Sequence, residues 1–491
     1  MRFVGNICGF LTLLYFSIFL FSCRDEGIDL VGDVTLSFSV DTLLFDTVFT
    51  TVGSATRSFT VHNNHNKRIK ISSIRIGSGA GSPFRINVNG VSGGQHRDVE
   101  IGANDSIFVF AEVTLDPSGI NLPLVVLDSL VFVTNNKVQD VKLVAWGQDA
   151  VFLKANYPAN EPRFHLLTQN ASWTSDKPIV VYSSVVAAPG VTLEIEPNTK
   201  VHLHNRKSIF FLDNSTLKIN GTIDNPVVFQ GDRLEREYQN RPGQWGRIFF
   251  SPQSSGHEIN YAIIKNGTVG LHIGTNGQNS GSNFILRNSL IKNMASTGIM
   301  VVESNLVANN IIVGNCGDFS VYIGPGASAA FLHCTFANYF SLPNSNPRRT
   351  PAILFANFFS YQEVAGGPEL VYQNTIGQVI FGNSIIYGNH DDEIGFELFP
   401  GTTFSNFLFD HCIIRTKSPT SESNFISVLR NADPRFHKTI NQDFRLGKGS
   451  PAIGAGKSEF SIQIPVDFEG NNRTNSFDLG AINFYPITEG D

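Results

Sequence analysis

From residue 34 onward the chain reads as short runs of alternating apolar and polar residues, broken by Gly, Asn, Asp and Ser. A period of two puts the apolar side chains of a strand on one face, so each run predicts a half-buried β-strand. Over residues 34–150 the runs fall at 35–39, 58–62, 68–76, 84–88, 106–115, 127–134 and 138–145. Turn clusters such as Asn63-Asn64-His65-Asn66 and Gly77-Ser78-Gly79-Ala80-Gly81 lie between them. No stretch after residue 25 carries apolar residues at helical spacing, which makes this an all-β chain.

The second part has another rhythm. Short strands such as Thr192-Leu193-Glu194-Ile195, Thr216-Leu217-Lys218-Ile219 and Val227-Val228-Phe229 recur with Gly- or Asn-bearing corners between them. From residue 258 the repeat aligns as Ala262-Ile263-Ile264, Ser289-Leu290-Ile291, Asn310-Ile311-Ile312, Cys334-Thr335-Phe336, Ser384-Ile385-Ile386 and Cys412-Ile413-Ile414, in steps of 27, 21, 24, 50 and 28 residues. The step of 50 is either two coils or one coil with a long insertion. A period of this size marks a solenoid: one coil cannot bury its own inner face, and stacking at about 4.8 Å makes a continuous core.

The expected architecture is an N-terminal immunoglobulin-like β-sandwich over 34–150, since six to seven short strands with regular turns suit that fold. It is followed by a linker or N-terminal cap at 151–177, a right-handed parallel β-helix over 178–431, and C-terminal coils and cap over 432–491. Asn266, Asn293, Asn315, Asn338 and Asn389 follow the aligned strands at nearly constant offset. Asparagine tolerates the left-handed backbone of a tight corner and its amides bond along a stack, so an asparagine ladder is expected there. Cys334 and Cys412 share a column of small residues with Ala262, Ser289 and Ser384, and read as buried thiols without a disulfide.

Composition sharpens this picture. At 491 residues the chain exceeds one ordinary core. Its 41 Phe and 44 Gly against 3 Met suit strands and tight turns. A formal charge of −6 supplies no basic field, which argues against nucleic acid as a partner. A monomer is expected.

Residues 7–21 are almost wholly apolar, the length of a signal-peptide core and short for a membrane span. They end in Leu20-Phe21-Ser22-Cys23 followed by Arg24-Asp25-Glu26, which resembles the bacterial lipobox and the surface-export signal of Bacteroidetes lipoproteins. The resemblance implies a signal peptide at 1–22, acylation of Cys23, a linker to residue 33, and an outer-membrane, surface-exposed location with the membrane as partner. Several acyl chains, at about 0.8 kcal/mol per buried methylene, make such an anchor stable. With Cys8 removed and Cys23 lipidated, Cys316, Cys334 and Cys412 remain, an odd set with no CxxC pair, so no disulfide framework or zinc site is expected.

Other phrases carry family resemblances. Phe59-Thr60-Val61-His62-Asn63, Ile101-Gly102-Ala103-Asn104-Asp105-Ser106 and Val144-Ala145-Trp146-Gly147-Gln148-Asp149 resemble the Ig-like modules of the Hydin-related group, which implies a spacer or adhesion module. Ala432-Asp433-Pro434-Arg435-Phe436, Gly449-Ser450-Pro451-Ala452-Ile453-Gly454-Ala455-Gly456, Asp467-Phe468-Glu469-Gly470-Asn471-Asn472-Arg473 and Asp478-Leu479-Gly480-Ala481-Ile482 resemble the end of the choice-of-anchor Q family of bacterial surface β-helix proteins. Asp467, Arg473 and Asp478 are then expected to brace a cap over the open edge of the last coil.

β-Helices of this hand include pectate lyases and polygalacturonases, whose chemistry has definite residue requirements. A lyase needs carboxylates that gather calcium and an Arg or Lys base, and a glycosidase needs paired carboxylates. The candidates are Asp391, Asp392 and Glu393 beside His390, with Arg348 and Arg349 in the loop 341–350 and Glu363 and Glu369 in the loop 361–374. Loops that break a regular repeat commonly form its binding surface. These residues match no motif of either enzyme family and no second acidic pair recurs one coil away, so a solvated corner and a loop tip fit them better. The expected function is a non-catalytic envelope lipoprotein presenting a β-helix for glycan binding, adhesion or scaffolding, with Tyr339, Tyr361, Glu363 and His390 as ligand contacts. The rival is a polysaccharide lyase or glycoside hydrolase working in a side groove. No cofactor is expected, with calcium implied only by the lyase reading.

Overall fold

The computed structural model describes residues 35–50, 53–116, 124–158, 162–276, 283–341, 348–362, 364, 366–473 and 476–486. Cys23 with its signal and linker, and Glu363, lie outside the described residues. The chain divides into two units, Met1–Asp149 and Ala150–Asp491.

The N-terminal unit holds two five-stranded sheets. One runs Ser37–Phe38, Arg57–His62, Ser106–Val113, Phe84–Val88, Val91–Ser92; the other runs Thr42–Phe49, Lys137–Gln148, Leu124–Thr134, Ile69–Ile76, Gln95–Ile101. Alternate residues of both, among them Phe59, Val61 and Val109 from the first and Phe45, Ile74, Phe132 and Leu143 from the second, form one core. Thr42–Phe49 pairs in parallel with Lys137–Gln148, while the other neighbours are antiparallel. Sequence patterning misses Gln95–Ile101, which reads Gln-His-Arg-Asp-Val-Glu-Ile. It is an edge strand paired on one side, where polar residues are the normal choice.

The C-terminal unit is built from three parallel sheets that the chain visits in rotation, the arrangement of a solenoid. Sheet 1 has eleven strands, from Val151–Leu153 to Leu429–Arg430. Sheet 2 has nine, from His165–Leu167 to Ile394–Glu397, and sheet 3 has ten, from Ala171–Trp173 to Phe425–Ile426. Inward side chains stack in register from coil to coil. Phe331, Phe381, Phe409 and Phe425 make a ladder with centroid spacings of 4.8, 4.9 and 5.4 Å, all stacked within 17° of parallel.

Several expectations change here. Residues 151–177 are the first coil rather than a linker: their three short strands each begin one of the sheets. The step of 50 residues is one coil with a long insertion, because Thr335–Asn338 pairs directly with Ile385–Gly388. The aligned triplet Asn310-Ile311-Ile312 is one residue out of register, since Ile312 pairs with Leu290 and Thr335. A one-residue slip reverses every side chain on a strand, so Ile312 faces outward and Val313 inward.

The asparagine ladder also moves. Asn266, Asn293 and Asn315 do adopt positive φ (69°, 56° and 54°), but Asn338 and Asn389 are not among the positive-φ residues. Their amides bond to backbone groups instead of to one another: Asn266 to the carbonyls of Tyr238 and Gln239, Asn389 to that of Phe340, and Asn338 Oδ1 accepts from the Cys316 N–H. The true column lies at the corner from sheet 3 to sheet 1, where Tyr261, Asn288, Asn310, His333, Asn383, His411 and Ser427 all have φ between 46° and 54°. There Asn310 Nδ2 donates to Asn288 Oδ1 (3.0 Å), and Asn288 Nδ2 donates to Asn260 Oδ1 (2.8 Å). Cys334 and Cys412 are fully buried with Ser384 between them in register, and burial pushes both thiols up to about 12.

Residues 432–486 form neither further coils nor an end cap. After a small hairpin, Phe436–Lys438 with Asp443–Leu446, and one helix, α1 (Ser458–Gln463), the segment runs back along the flank of the solenoid. Lys457 meets Asn383, Ser461 meets His333 and Val466 meets Asn310, three successive coils in reverse order. Asp467, Arg473 and Asp478 brace this strap, all three fully buried. The last coil is not what they cover, because one outward column of sheet 1 is itself apolar. Ile312, Ile385 and Ile413 face out and need the cover supplied by Phe444, Leu446 and Leu479.

Two buried histidines make acid a test of this packing. His257 accepts from the Leu217 N–H at Nδ1 (3.0 Å), which holds it neutral, and burial pushes it down to about 3; His202 is pushed to about 4. Below the ordinary value of 6.5 the unfolded chain binds protons that the folded chain refuses, so stability falls with pH through this window. Each unit of depression is worth on the order of 1.4 kcal/mol. The urea midpoint is expected to fall between pH 6.5 and 5, before the carboxylates titrate, and His257→Gln flattens that fall. A midpoint constant across the window contradicts the assignment.

Candidate functional site

The insertion between sheets 1 and 2 gathers most of the residues singled out from sequence. Arg348 Nη2 meets Glu393 Oε1 at 2.6 Å and Oε2 at 2.8 Å, and neither side chain has any exposed surface. Glu393 also accepts from the N–H groups of Ala352 (2.8 Å) and His390 (3.0 Å). Arg348 donates to the carbonyls of Asn338 and Thr350 and to Asn389 Oδ1. Burial pushes the Glu393 carboxyl up, opposed by the Arg348 charge and the two backbone donors. The pair pins the inserted loop to the corner at 389–393. With both charges enclosed, no substrate reaches them.

The other acidic candidates turn to separate partners. Asp391 Oδ1 pairs with Arg415 at 2.7 Å, and Asp392 Oδ1 accepts from the Thr416 hydroxyl at 2.7 Å. His390 Nδ1 lies 2.7 Å from the Asp392 carbonyl. Arg349 is exposed. Tyr339 is not an open contact either: its ring lies 6.2 Å from Phe444 and 6.4 Å from Phe436, under the strap, and burial raises its phenol. Among the described residues, no group of three or more His, Cys, Asp or Glu is placed to hold a metal.

Tyr361 sits on a two-stranded hairpin, Phe358–Tyr361 with Leu370–Gln373, inserted between Ile353–Ala356 of sheet 2 and Val379–Gly382 of sheet 3. Its root is a buried carboxylate. Glu303 Oε1 accepts from the Tyr372 hydroxyl (2.8 Å) and from Asn374 Nδ2 (2.6 Å). Phe359, Tyr361, Leu370 and Tyr372 share one half-buried face of the hairpin, while Ser360, Val371 and Gln373 are exposed on the other.

The outer face of sheet 2 carries a feature that sequence reasoning passes over. Val186, Phe210, Phe249, His272, Met300 and Tyr322 occupy one register column over six successive coils, each half-buried. Phe249 lies 5.9 Å from Phe210 and edge-on to His272 at 5.0 Å. Arg247 donates to His272 Nδ1 at 2.9 Å, and burial, then this guanidinium, pushes His272 down to about 4. Burial, then Glu397, pushes Tyr322 up to about 12. The signal was present in Ile209-Phe210-Phe211 and Ile248-Phe249-Phe250, where an aromatic ring stands at the outward position that alternation reserves for a polar residue. Rings at strand spacing along a solenoid offer a stacking surface for a chain of similarly spaced apolar faces.

No family model matches this sequence, and no curated protein matches it. Among solved structures it is similar to the catalytic domain of a GH87 alpha-1,3-glucanase in complex with nigerose, at 10% identity over 74% of this chain and 82% of that one, with a TM-score of 0.17. It is also similar to the catalytic unit of a thermostable GH87 alpha-1,3-glucanase from Streptomyces thermodiastaticus strain HF3-3, at 10% identity over 72% and 79%, with a TM-score of 0.19. Likenesses of this degree carry no argument about the site or its reaction.

Proposed function

We propose that the chain is a lipid-anchored envelope protein whose solenoid binds glycan along the outer face of sheet 2 without turning it over. The observation that carries this reading is the half-buried column from Phe210 through Phe249 and His272 to Tyr322. Anchoring comes from acylation of Cys23, and the N-terminal unit serves as an Ig-like spacer. The solenoid is read as a right-handed β-helix, and its strap as the choice-of-anchor Q ending. Engagement of Arg348, Glu393, Asp391 and Asp392 in structural contacts supports a role without turnover. Electrophoresis of the full-length protein through gels containing single polysaccharides tests the contact face. At least one polymer is expected to retard the protein, and Phe249→Ala with Tyr322→Ala weakens that retardation roughly tenfold, about 1.4 kcal/mol. Unchanged retardation of the folded double variant removes sheet 2 as the contact face.

A further inference from the structure

On a different face, sheet 1 carries an outward column that passes from His202 and Gln230 to Lys265, Lys292 and Gly314. Lys265 and Lys292 are register partners on adjacent strands, so their stems leave the sheet about 4.8 Å apart. Both are half-buried, and among the described residues neither ammonium has a hydrogen-bond or ion-pair partner. Nearby carboxylates are engaged elsewhere: Asp232 with His204 at 2.6 Å, Glu235 with Arg233 at 2.8 Å. Burial lowers both lysines, and the charge of Lys265 lowers Lys292 further.

Lys265 lines a cleft on this face, and Lys292 stands beside it on the next strand. On one side the loop 232–245 folds over the sheet and leaves a cleft of about 300 Å³ lined by Gln230, Arg233, Tyr238, Lys265 and Asn266. On the other, Phe444 of the strap covers Gly314. Gln442 donates to Asn293 Oδ1 (2.7 Å) and Asn293 to Asn240 Oδ1 (3.3 Å), joining strap to loop beside the pair. In the same cleft Asn266 Oδ1 is buried without a donor. Two uncompensated ammoniums cost stability in the free protein and become favourable when an anion enters.

We propose that Lys265 and Lys292 bind the carboxylate of an acidic sugar seated against the polar lining of this cleft, Gln230, Tyr238 and Asn240. Ammonium groups on flexible stems suit this task, because they act as point charges without requiring a fixed fork geometry. The site stands apart from sheet 2, so either reading survives failure of the other.

Calorimetric titration of the full-length protein with tetragalacturonate and with neutral maltotetraose tests it. Tetragalacturonate is expected to bind at least tenfold more tightly, and K265Q/K292Q to abolish that preference while melting no lower than the parent. K265R/K292R, which keeps both charges, restores it. As a second readout, amine acylation followed by mass spectrometry should label Lys265 and Lys292 at neutral pH, and tetragalacturonate should protect both. The proposal is overturned by equal binding of the two oligomers, by undiminished binding in the folded Gln variant, or by acylation that the ligand does not slow. Displacement by an equal concentration of inorganic phosphate reduces the site to a general anion site and overturns the sugar assignment.

Discussion

Glu393→Ala is expected to destabilise the solenoid by about 3–5 kcal/mol, the range measured when one partner of a buried ion pair is removed. The size follows from enclosure. Arg348 and Glu393 have no exposed side-chain surface, so the variant leaves a guanidinium in the interior with only carbonyl and amide partners. The Ala352 and His390 N–H groups lose their acceptor as well. Urea unfolding followed by circular dichroism reads the effect directly. Replacing both partners with apolar residues of similar volume, Arg348→Met with Glu393→Leu, should recover most of the loss, because the cost lies in the stranded charge. A Glu393→Ala protein as stable as its parent would sink the reading of this pair as a structural pin.

Arg473→Ala should have an effect of similar size and a more local signature. The Arg473 guanidinium is fully buried between strap and solenoid, donating to Asn310 Oδ1 (2.9 Å), to the Ala481 and Gly480 carbonyls (2.8 and 3.3 Å) and to Asn483 Oδ1. Burial pushes it down to about 10, against the attraction of Asp467 and Asp478. Without it, the Asn310 and Asn483 amides face a cavity, and the strap loses its tie to the middle coils. Stability is expected to drop by about 3 kcal/mol or more, from unsatisfied buried groups and lost packing together. Limited proteolysis should then cut within 432–486 while the coils stay intact, and the uncovered Ile312, Ile385 and Ile413 should bind a hydrophobic dye. A strap that stays resistant to protease in Arg473→Ala would show that its apolar contacts alone hold it.

The repeat was legible because a solenoid core demands the same residue type at the same place in every coil, and doublets such as Ile263-Ile264 and Ile413-Ile414 supply it. Those doublets also held unread information. An alternating strand has one apolar face, whereas two apolar residues in succession mark burial on both sides, here by the core and by the strap. Where the strap lies was not legible. Asp467, Arg473 and Asp478 signal buried bracing, but contacts between Arg473 and Asn310, 163 residues apart, depend on the path of the chain. The candidate site was half legible for the same reason. Arg348 and Glu393 read from sequence as a loop tip and a solvated corner, whereas the structure encloses both as one ion pair, because sequence does not distinguish a charge facing solvent from one covered by its own loop. The columns on sheets 1 and 2 were missed because each is assembled from single residues more than 20 positions apart, Lys265 and Lys292 among them, and only the register unites them.

The proposed role, holding glycan without cleaving it, is tested most directly by one incubation of the full-length protein with a panel of neutral and uronate polysaccharides, calcium present, in which retained protein, new reducing ends and unsaturated uronate absorbance are followed together. Retention on at least one polymer is expected, with no product above the protein-free control. Product that accumulates with time, and disappears in Asp391→Asn or Asp392→Asn protein of unchanged stability, would contradict it and make the chain an enzyme.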